Sequence, residues 1–352
     1  MIRIKLKALF VLISVLASVS SLLAQEIRVE DIQFKNNEEI SSGKLQNAMQ
    51  TKANPWYRLF MPWKDSHTFD EDVFLTDLLR IEKLYKQEGY LDAVVQDYKL
   101  NFNQEGDEVN IVIYIEEGEP TKVNRVEFIG SDHVALPIPP DKLQGMVKLK
   151  QGKRYREEDL REDYHEIVEK HNNQGYPYIE AKVKPIMDRG AHLVDLEWYL
   201  NPGPYCLFGE IEITGNKSVS DKVILRGLGF KEGEPFVRKK LASAQSQVYR
   251  LELFQFVSLQ AMNLDEKPTN IPIEVRVRET TLRTLKFGLG YGSEEEFRTF
   301  GRWRHRNFLG GGRILQVLGK HSTDILPLQL EVEMSQPYFF GNRNDLNVKP
   351  FF

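Results

Sequence analysis

The stretch Val126-Glu127-Phe128-Ile129-Gly130 decides the fold, because its pattern occurs three times in the 352-residue sequence. The other two copies are Ile32-Gln33-Phe34-Lys35-Asn36 and Ile211-Glu212-Ile213-Thr214-Gly215. Each copy has apolar residues at its first and third positions and a turn-forming residue at its fifth, as a half-buried strand that runs into a turn requires. Recurrence at a similar interval predicts one supersecondary unit that is repeated three times.

Helical periodicity follows each of these strands. In the first copy, Gly89 ends a segment whose apolar residues recur on one helical face, at Phe74, Leu78, Ile81, Leu84 and Tyr85. Gly175 ends the matching segment of the second copy, and glycine suits the left-handed position that closes a helix. The third copy ends at Leu253-Phe254 without a glycine. Two extended runs separated by turn residues come next in every copy, so each unit is predicted to be a strand-helix-helix-strand-strand module of the α+β class.

These segments carry a resemblance to a known family. Gly89-Tyr90, Gly175-Tyr176 and the run Pro204-Tyr205-Cys206-Leu207-Phe208-Gly209-Glu210-Ile211 resemble POTRA domains. The tail resembles the opening strands of the BamA/TamA-type outer-membrane assembly and translocation barrels. The segments that carry this second resemblance are Gly288-Leu289-Gly290-Tyr291-Gly292, His305-Arg306-Asn307-Phe308-Leu309-Gly310-Gly311-Gly312-Arg313 and Gln336-Pro337-Tyr338-Phe339-Phe340-Gly341-Asn342-Arg343.

The resemblance implies an order of domains along the chain. Residues 1–24 are predicted to be a signal peptide, because a cationic start precedes an apolar run that is shorter than the roughly 20 residues of a spanning helix. An uncleaved anchor is the alternative. POTRA modules are expected at residues 25–118, 119–203 and 204–280, and the N-terminal part of an antiparallel transmembrane β-barrel at 281–352. No later segment has about 18 consecutive apolar residues, so any membrane crossing there is expected to use strands.

Alternation in the tail predicts two unlike faces of a sheet. On the first strand, Leu285, Phe287, Leu289 and Tyr291 share one face, and glycines share the other. An arginine at the membrane midplane costs about 2 to 4 kcal/mol, so the arginines of the next strand are predicted to face a watery lumen. The residues predicted to face this lumen are Arg298, Arg302, Arg304, Arg306, Glu331 and Glu333. The two glutamates are expected to pair with the arginines, while Leu326, Leu328, Leu330, Val332 and Met334 face lipid.

Residues 285–352 provide only four or five predicted strands, whereas the smallest barrels have about eight. The sequence is therefore expected to be a fragment of a longer chain, and a barrel completed by several copies is the alternative. One further segment, residues 54–63, contains four large aromatic residues and two prolines. It is predicted to be a docking loop for a partner or the membrane surface, or a loop folded over its own module.

Composition and motifs argue against several other functions. The net charge of −4 offers no basic field for non-specific binding of nucleic acid. The single cysteine, Cys206, cannot form an intramolecular disulfide and is predicted to be a small core residue. Gly310-Gly311-Gly312-Arg313 lacks the Lys-Ser/Thr ending of a phosphate-binding loop, and the histidines lack metal-ligand spacing. No enzymatic activity, cofactor or metal is therefore expected.

The resemblance implies a factor that assembles, inserts or translocates outer-membrane proteins, with periplasmic modules and an outer-membrane barrel in a Gram-negative type bacterium. Its expected partners are unfolded outer-membrane or secreted clients, accessory periplasmic or lipoprotein subunits, and outer-membrane lipid. Clients are predicted to bind by β-strand addition to module edges and to the barrel seam. The candidate residues are Val94, Tyr98, Leu100, Ile179, Val183, Phe256, Leu285, Phe287, Leu289 and Tyr291. The alternative is a soluble periplasmic protein-binding scaffold without a membrane barrel.

Overall fold

The computed structural model describes residues 27–54, 67–131, 134–292, 296–322, 328–339 and 344–350. The predicted signal peptide, residues 55–63 of the aromatic segment, and Leu326 lie outside these ranges. The chain divides into two compact units. The first comprises Met1–Glu127, Met146–Tyr164 and Val183–Trp198, and the second comprises Phe128–Gly145, His165–Lys182 and Tyr199–Phe352. Among the described residues, no helix is both long and apolar enough to cross a membrane.

The first module is a three-stranded sheet with two helices. Its elements are β1 (Arg28–Lys35), α1 (Ser42–Ala48), α2 (Glu71–Gln87), β2 (Val94–Phe102) and β3 (Glu108–Glu116). The last strand in sequence is central in space, because β3 pairs in parallel with β1 and antiparallel with β2. Alternate residues of β3, from Val109 to Ile115, are buried in one core with Phe74 and Ile81 of α2. The predicted helical face and hairpin are thus both present.

The second module repeats this order. Its elements are β4 (Lys122–Gly130), α3 (Pro140–Met146), α4 (Glu157–Asn172), β5 (Glu180–Asp188) and β6 (Leu193–Asn201). The sheet order is β4-β6-β5, so the last strand again lies in the middle. The residues Val194, Leu196, Trp198 and Leu200 alternate along β6 and are all buried.

The third module has the same architecture. Its elements are β7 (Leu207–Thr214), α5 (Asp221–Leu228), α6 (Arg238–Tyr249), β8 (Phe254–Ala261) and β9 (Asn270–Glu279). Strand β9 is central, parallel to β7 and antiparallel to β8. Cys206 is fully buried in the core of this module, where Phe208 stacks on Phe230 with ring centroids 3.9 Å apart. The structure therefore places this cysteine as a core residue, as its isolation in the sequence suggested.

One buried carboxylate recurs in the first two modules. Asp77 of α2 accepts hydrogen bonds from the backbone N–H groups of Gln50 and Thr51, at 2.7 Å each. Asp163 of α4 accepts the corresponding bonds from Lys148 and Leu149. Burial opposes ionisation of Asp77, but these bonds and Arg80 hold its pKa below the usual range. In both modules the carboxylate ties the second helix to the loop that follows the first helix.

A fourth sheet follows the three modules. Its strands are β10 (Arg283–Gly292), β11 (Glu296–Arg306), β12 (Ile314–Ser322), β13 (Gln329–Gln336) and β14 (Leu346–Val348). Neighbours in sequence are neighbours in the sheet, and all four pairings are antiparallel. The strands in this part of the chain are thus antiparallel, as expected from the resemblance.

Candidate polypeptide-binding site

Each module presents an edge strand to its surroundings. Among the strands that the structure describes, β2, β5 and β8 each pair on one side only, with the central strand of their own sheet. An edge strand carries backbone N–H and C=O groups that an extended polypeptide can pair with. The three modules therefore place the same element of the repeat in a position suited to strand addition.

The side chains proposed for the β2 edge differ in their surroundings. Val94 is exposed, whereas Tyr98 and Leu100 are half-buried and pack against the core of their own module. The ring of Tyr98 lies edge-on to Phe74, with centroids 5.2 Å apart. Because Tyr98 and Leu100 already hold the strand on its core, only their main-chain groups are suited to an incoming strand.

Two edge strands begin with an irregular pairing. The register of β2 on β3 shifts between Val95 and Asp97, and that of β8 on β9 shifts between Phe254 and Phe256. An extra residue at an edge twists the strand locally and disturbs its ladder. Regular edges therefore begin at Asp97 and at Phe256, whose side chain is 49% exposed.

In the second module, one predicted edge residue lies outside the strand. Strand β5 begins at Glu180, so Ile179 lies immediately before it. Val183 lies within β5 and is half-buried. The strand begins one residue later than predicted, because the apolar character of Ile179 continues the strand pattern into the preceding turn. Client binding at Ile179 stays a prediction.

The first strand of the fourth sheet exposes a continuous apolar row. The side chains of Leu285, Phe287, Leu289 and Tyr291 are between 59% and 82% exposed. Glycines alternate with them, and Gly288 lies opposite Phe300 of β11. A Cβ atom at Gly288 would lie 2.2 Å from the Phe300 ring, so glycine lets this ring lie across β10. One face of β10 is therefore apolar and exposed from Leu285 to Tyr291, and on the other face the Phe300 ring covers Gly288.

The strand register assigns the charged side chains to a single face. Arg302 pairs with Leu318 of β12, which pairs with Glu331 of β13. Arg304 connects in the same way through Gln316 to Glu333. Residues directly opposite one another in a sheet share a face, and alternate residues of one strand do so as well. The face opposite the apolar row therefore carries Arg298, Arg302, Arg304, Arg306, Glu331 and Glu333.

The predicted pairing of glutamates with arginines is wrong for Glu331. Its carboxylate lies 2.9 Å from Nζ of Lys320 and 2.9 Å from Nζ of Lys349. Strand β12 separates β11 from β13 by two strand spacings of about 4.8 Å each, so a lysine on the intervening strand is nearer than the arginines. Alternation along a strand predicts the face of a residue but not its partner.

Arg304 and Arg306 instead meet a glutamate of the third module. Nη2 of Arg304 lies 2.8 Å from Oε2 of Glu252, and Nε of Arg306 lies 4.0 Å from the same atom. Glu252 follows α6 with a left-handed backbone, φ 57°, whereas Gly89 and Gly175 occupy such positions after α2 and α4. The missing glycine in the third copy was the sequence signal for this residue, and its role was not predicted.

Two more contacts join the third module to turns of the fourth sheet. Nδ2 of Asn307 donates a hydrogen bond to the carbonyl of Ser218, at 3.1 Å. The hydroxyl of Tyr338 donates to the carbonyl of Gln247, at 3.3 Å. A polar cavity of about 220 Å³ lies at the ion pair between Glu252 and Arg304, and Gln316 and Glu333 also contribute to its walls. The end of α6 is thereby fixed against the arginine-bearing face.

Consecutive modules are joined by a repeated hydrogen-bond relay. The carbonyl of Gly89 accepts from the N–H of Thr121, and the carbonyl of Thr121 accepts from the N–H of Tyr155, at 2.8 Å each. At the next junction, the carbonyl of Gly175 accepts from Cys206, at 2.7 Å, and that of Cys206 accepts from Phe236, at 2.9 Å. The glycine that ends each second helix therefore also fixes the first strand of the following module.

The first junction also contains a cluster of charges around Glu88. The Glu88 side chain is 10% exposed and lies 3.0 Å from Nε of Arg156 and 3.6 Å from Nη2 of Arg154. Lys44 of α1 also binds this carboxylate. Burial opposes ionisation, but the hydrogen bonds from Lys44 and Arg156 lower the pKa of Glu88 below its usual value. Cationic side chains of both modules therefore bind the one buried carboxylate of Glu88.

Within the described ranges, no group of three or more His, Cys, Asp and Glu residues could hold a metal ion. His171 is fully buried, and its Nδ1 lies 2.7 Å from the carbonyl of Ile167. Burial lowers the pKa of this imidazole. Its position is that of a core residue.

Comparison with known families matches the modular organisation. The POTRA family model, described as a surface antigen variable number repeat, matches residues 27–118, 121–203 and 207–280. The three matched segments contain the three strand-helix-helix-strand-strand units.

Related proteins carry the name outer membrane protein assembly factor BamA. The BamA of Neisseria meningitidis serogroup B is 25% identical over 313 residues, which cover 89% of this chain and 38% of the relative. The BamA of Buchnera aphidicola is 24% identical over 334 residues, 93% of this chain and 52% of the relative. The chain thus spans about half or less of the length of these relatives.

A solved structure supports the fold. The crystal structure of BamA from Haemophilus ducreyi lacking POTRA domains 1–3 matches with a TM-score of 0.53 and 20% identity, over 64% of this chain and 42% of that chain. Because the family model covers all three modules, the chain belongs to the POTRA family and is related to the BamA-type outer-membrane assembly factors.

Proposed function

We propose that this protein is a non-enzymatic factor for the assembly, insertion or translocation of outer-membrane proteins. The modules at 25–118, 119–203 and 204–280 lie in the periplasm, and residues 281–352 form the first strands of an outer-membrane β-barrel. The names of the relatives and the order of modules and sheet support this assignment. Its clients are unfolded outer-membrane or secreted polypeptides, and accessory periplasmic or lipoprotein subunits assist it.

The observation that carries the proposal is the unpaired edge of β10. This strand pairs only with β11 among the described strands, and its exposed face is apolar from Leu285 to Tyr291. An extended client can add to such an edge through main-chain hydrogen bonds, which do not depend on the client sequence. Alternating apolar residues of a membrane-directed client continue the apolar row of β10 in the same register.

The unlike faces of the fourth sheet favour a membrane over a soluble scaffold. Each large apolar side chain gains about 1.5 to 3 kcal/mol when it leaves water. The four exposed side chains of β10 obtain this gain from acyl chains, while the opposite face keeps its arginines and glutamates in an aqueous lumen. A protein that only bound partners in the periplasm would leave this row in water.

Substitution by proline tests strand addition directly. We expect Val183→Pro and Leu289→Pro to reduce client crosslinking several-fold, because proline removes a backbone N–H and cannot pair at that position. Client crosslinking is measured with photoreactive residues next to β5 and β10. Val183→Ala and Leu289→Ala are the matched controls, since they shorten the side chain but keep the N–H.

Two results would count against the proposal. Unchanged crosslinking in both proline variants would exclude strand addition at these edges. Release of the protein from membranes by high salt would favour the soluble scaffold, because a barrel stays in the membrane under these conditions.

A further inference from the structure

We infer that Arg283 and His305 form a binding site for the phosphate of a phospholipid at the periplasmic end of the first hairpin. The inference rests on the proposed placement of the fourth sheet in a membrane. Arg283 and His305 are not among the residues proposed to bind clients.

The register places both residues on the apolar face. Arg283 lies directly opposite His305, and the next pair on the same face is Leu285 with Trp303. The pair Arg283–His305 therefore ends the row of exposed apolar side chains that begins at Tyr291. This end of β10 is the one that connects to the third module, through residues 280–282.

On this face, the change from the apolar Leu285 to the cationic Arg283 indicates the boundary between the acyl chains and the lipid headgroups. A charged residue on the lipid face of a barrel costs about 2 to 4 kcal/mol at the midplane but about 0 to 1 kcal/mol near the interface. Arg283 is exposed, and its neighbours on the same face are the exposed Leu285 of β10 and the half-buried Trp303 of β11. Its guanidinium therefore lies at the depth where lipid phosphates replace acyl chains.

The aromatic side chains around His305 fit the same depth. The rings of Trp303 and Phe308 lie 5.9 Å and 5.7 Å from the imidazole, on either side of it along the chain. Leu309, in the turn after β11, is 78% exposed. Aromatic residues are enriched at the level of lipid headgroups, where one side of the ring is apolar and the other is wet.

The donors suit a phosphate oxygen. Nε of Arg283 donates to Nε2 of His305 across 3.5 Å, which orients the planar guanidinium against the second strand. The guanidinium has two further amino groups, and this pair can bind two phosphate oxygens at once. An open cleft of about 710 Å³ adjoins the pair, and Ser218, Thr280, Thr281 and Asn307 contribute to its walls.

One acidic residue, Glu279, also contributes to this cleft. Its Oε1 atom accepts three hydrogen bonds, from the backbone N–H groups of Lys217, Ser218 and Val219, at 2.7 to 2.8 Å. These bonds hold its negative charge on the loop before α5. Because the carboxylate of Glu279 is bound by this loop, the guanidinium of Arg283 can bind the phosphate of a lipid.

Native mass spectrometry of the full chain in detergent provides the test. Phosphatidylglycerol is the probe. Diacylglycerol, added separately, tests binding of the acyl chains without a phosphate, and inorganic phosphate tests binding of the free anion. We expect Arg283→Gln to reduce retained phosphatidylglycerol about tenfold, the loss of one charge-assisted hydrogen-bonded contact. Arg283→Lys keeps the charge but not the paired amino groups, so it should retain an amount of phosphatidylglycerol between those of the wild type and Arg283→Gln.

Lys286→Gln is the matched control, because Lys286 lies on the same strand but on the opposite face, paired with Arg302. Equal loss in Lys286→Gln, or full retention in Arg283→Gln, would overturn the lipid site. Equal competition by inorganic phosphate would overturn the assignment to a lipid. A salt wash of membranes tests the proposed function separately from the lipid site. If the wild-type protein stays in the membrane but Arg283→Gln retains as much phosphatidylglycerol as the wild type, only the lipid site is refuted.

Discussion

Replacing Gly89 by alanine is expected to lower the free energy of unfolding of the first two modules by about 3 to 5 kcal/mol. Gly89 has φ +95°, and a Cβ atom there would lie 2.1 Å from the carbonyl oxygen of Tyr155. The backbone of Tyr155 must therefore move, which disrupts the relay from Gly89 through Thr121 to Tyr155. Equilibrium unfolding in urea, followed by circular dichroism, measures the change.

Gly106→Ala separates the two causes of this loss, which are the strain of a positive φ and the clash with Tyr155. Gly106 also has a positive φ, +74°, but no atom lies within 4 Å of the place that a Cβ atom would occupy. Its replacement is therefore expected to cost only the conformational strain of about 1 to 2 kcal/mol. Equal costs for Gly89→Ala and Gly106→Ala would show that the contact with Tyr155 does not hold the two modules together.

Substitution of Glu88 by glutamine is expected to destabilise the same junction by about 2 to 4 kcal/mol at pH 7. Removing one member of a buried ionic cluster leaves its partners uncompensated, and the partial exposure of Lys44, Arg154 and Arg156 reduces that cost. Glu119→Gln is the matched control, because Glu119 is exposed in the segment that connects the two modules.

The effect of Glu88 should depend on pH in a defined direction. Its pKa in the folded protein is lowered from 4.5, so the stabilisation is fully present above pH 4.5. It is lost as the pH falls through the folded-state pKa, where the carboxylate becomes protonated. The difference in unfolding free energy between wild type and Glu88→Gln should therefore shrink in acid. A difference that does not change between pH 7 and pH 3 would contradict the assigned role of the charge.

Much of the fold follows from local patterns in the sequence. The alternation of Val109, Ile111, Ile113 and Ile115 requires a strand with one buried face, and the observed strand is Glu108–Glu116. The alternation from Leu285 to Tyr291 likewise predicts the exposed row of β10. Such periods depend only on the geometry of one element, so a single segment contains the information.

The contacts between elements do not follow from such patterns. Glu88 is bound by Lys44, Arg154 and Arg156, which come from distant parts of the chain. The partners of Arg304 and Glu331 depend on strand order and on where the third module meets the sheet, which no periodicity encodes. The left-handed position of Glu252 was signalled only by an absent glycine, and its contact with Arg304 required the three-dimensional arrangement.

The placement of the fourth sheet is the claim on which the function and the lipid site both depend. A photoreactive carbene reagent dissolved in the acyl chains of vesicles tests it, with labelled peptides identified by mass spectrometry. We expect labelling of Leu285, Leu289, Leu328 and Leu330 and protection of Arg302 and Arg304. Labelling of the two arginines with protection of the four leucines would contradict this placement.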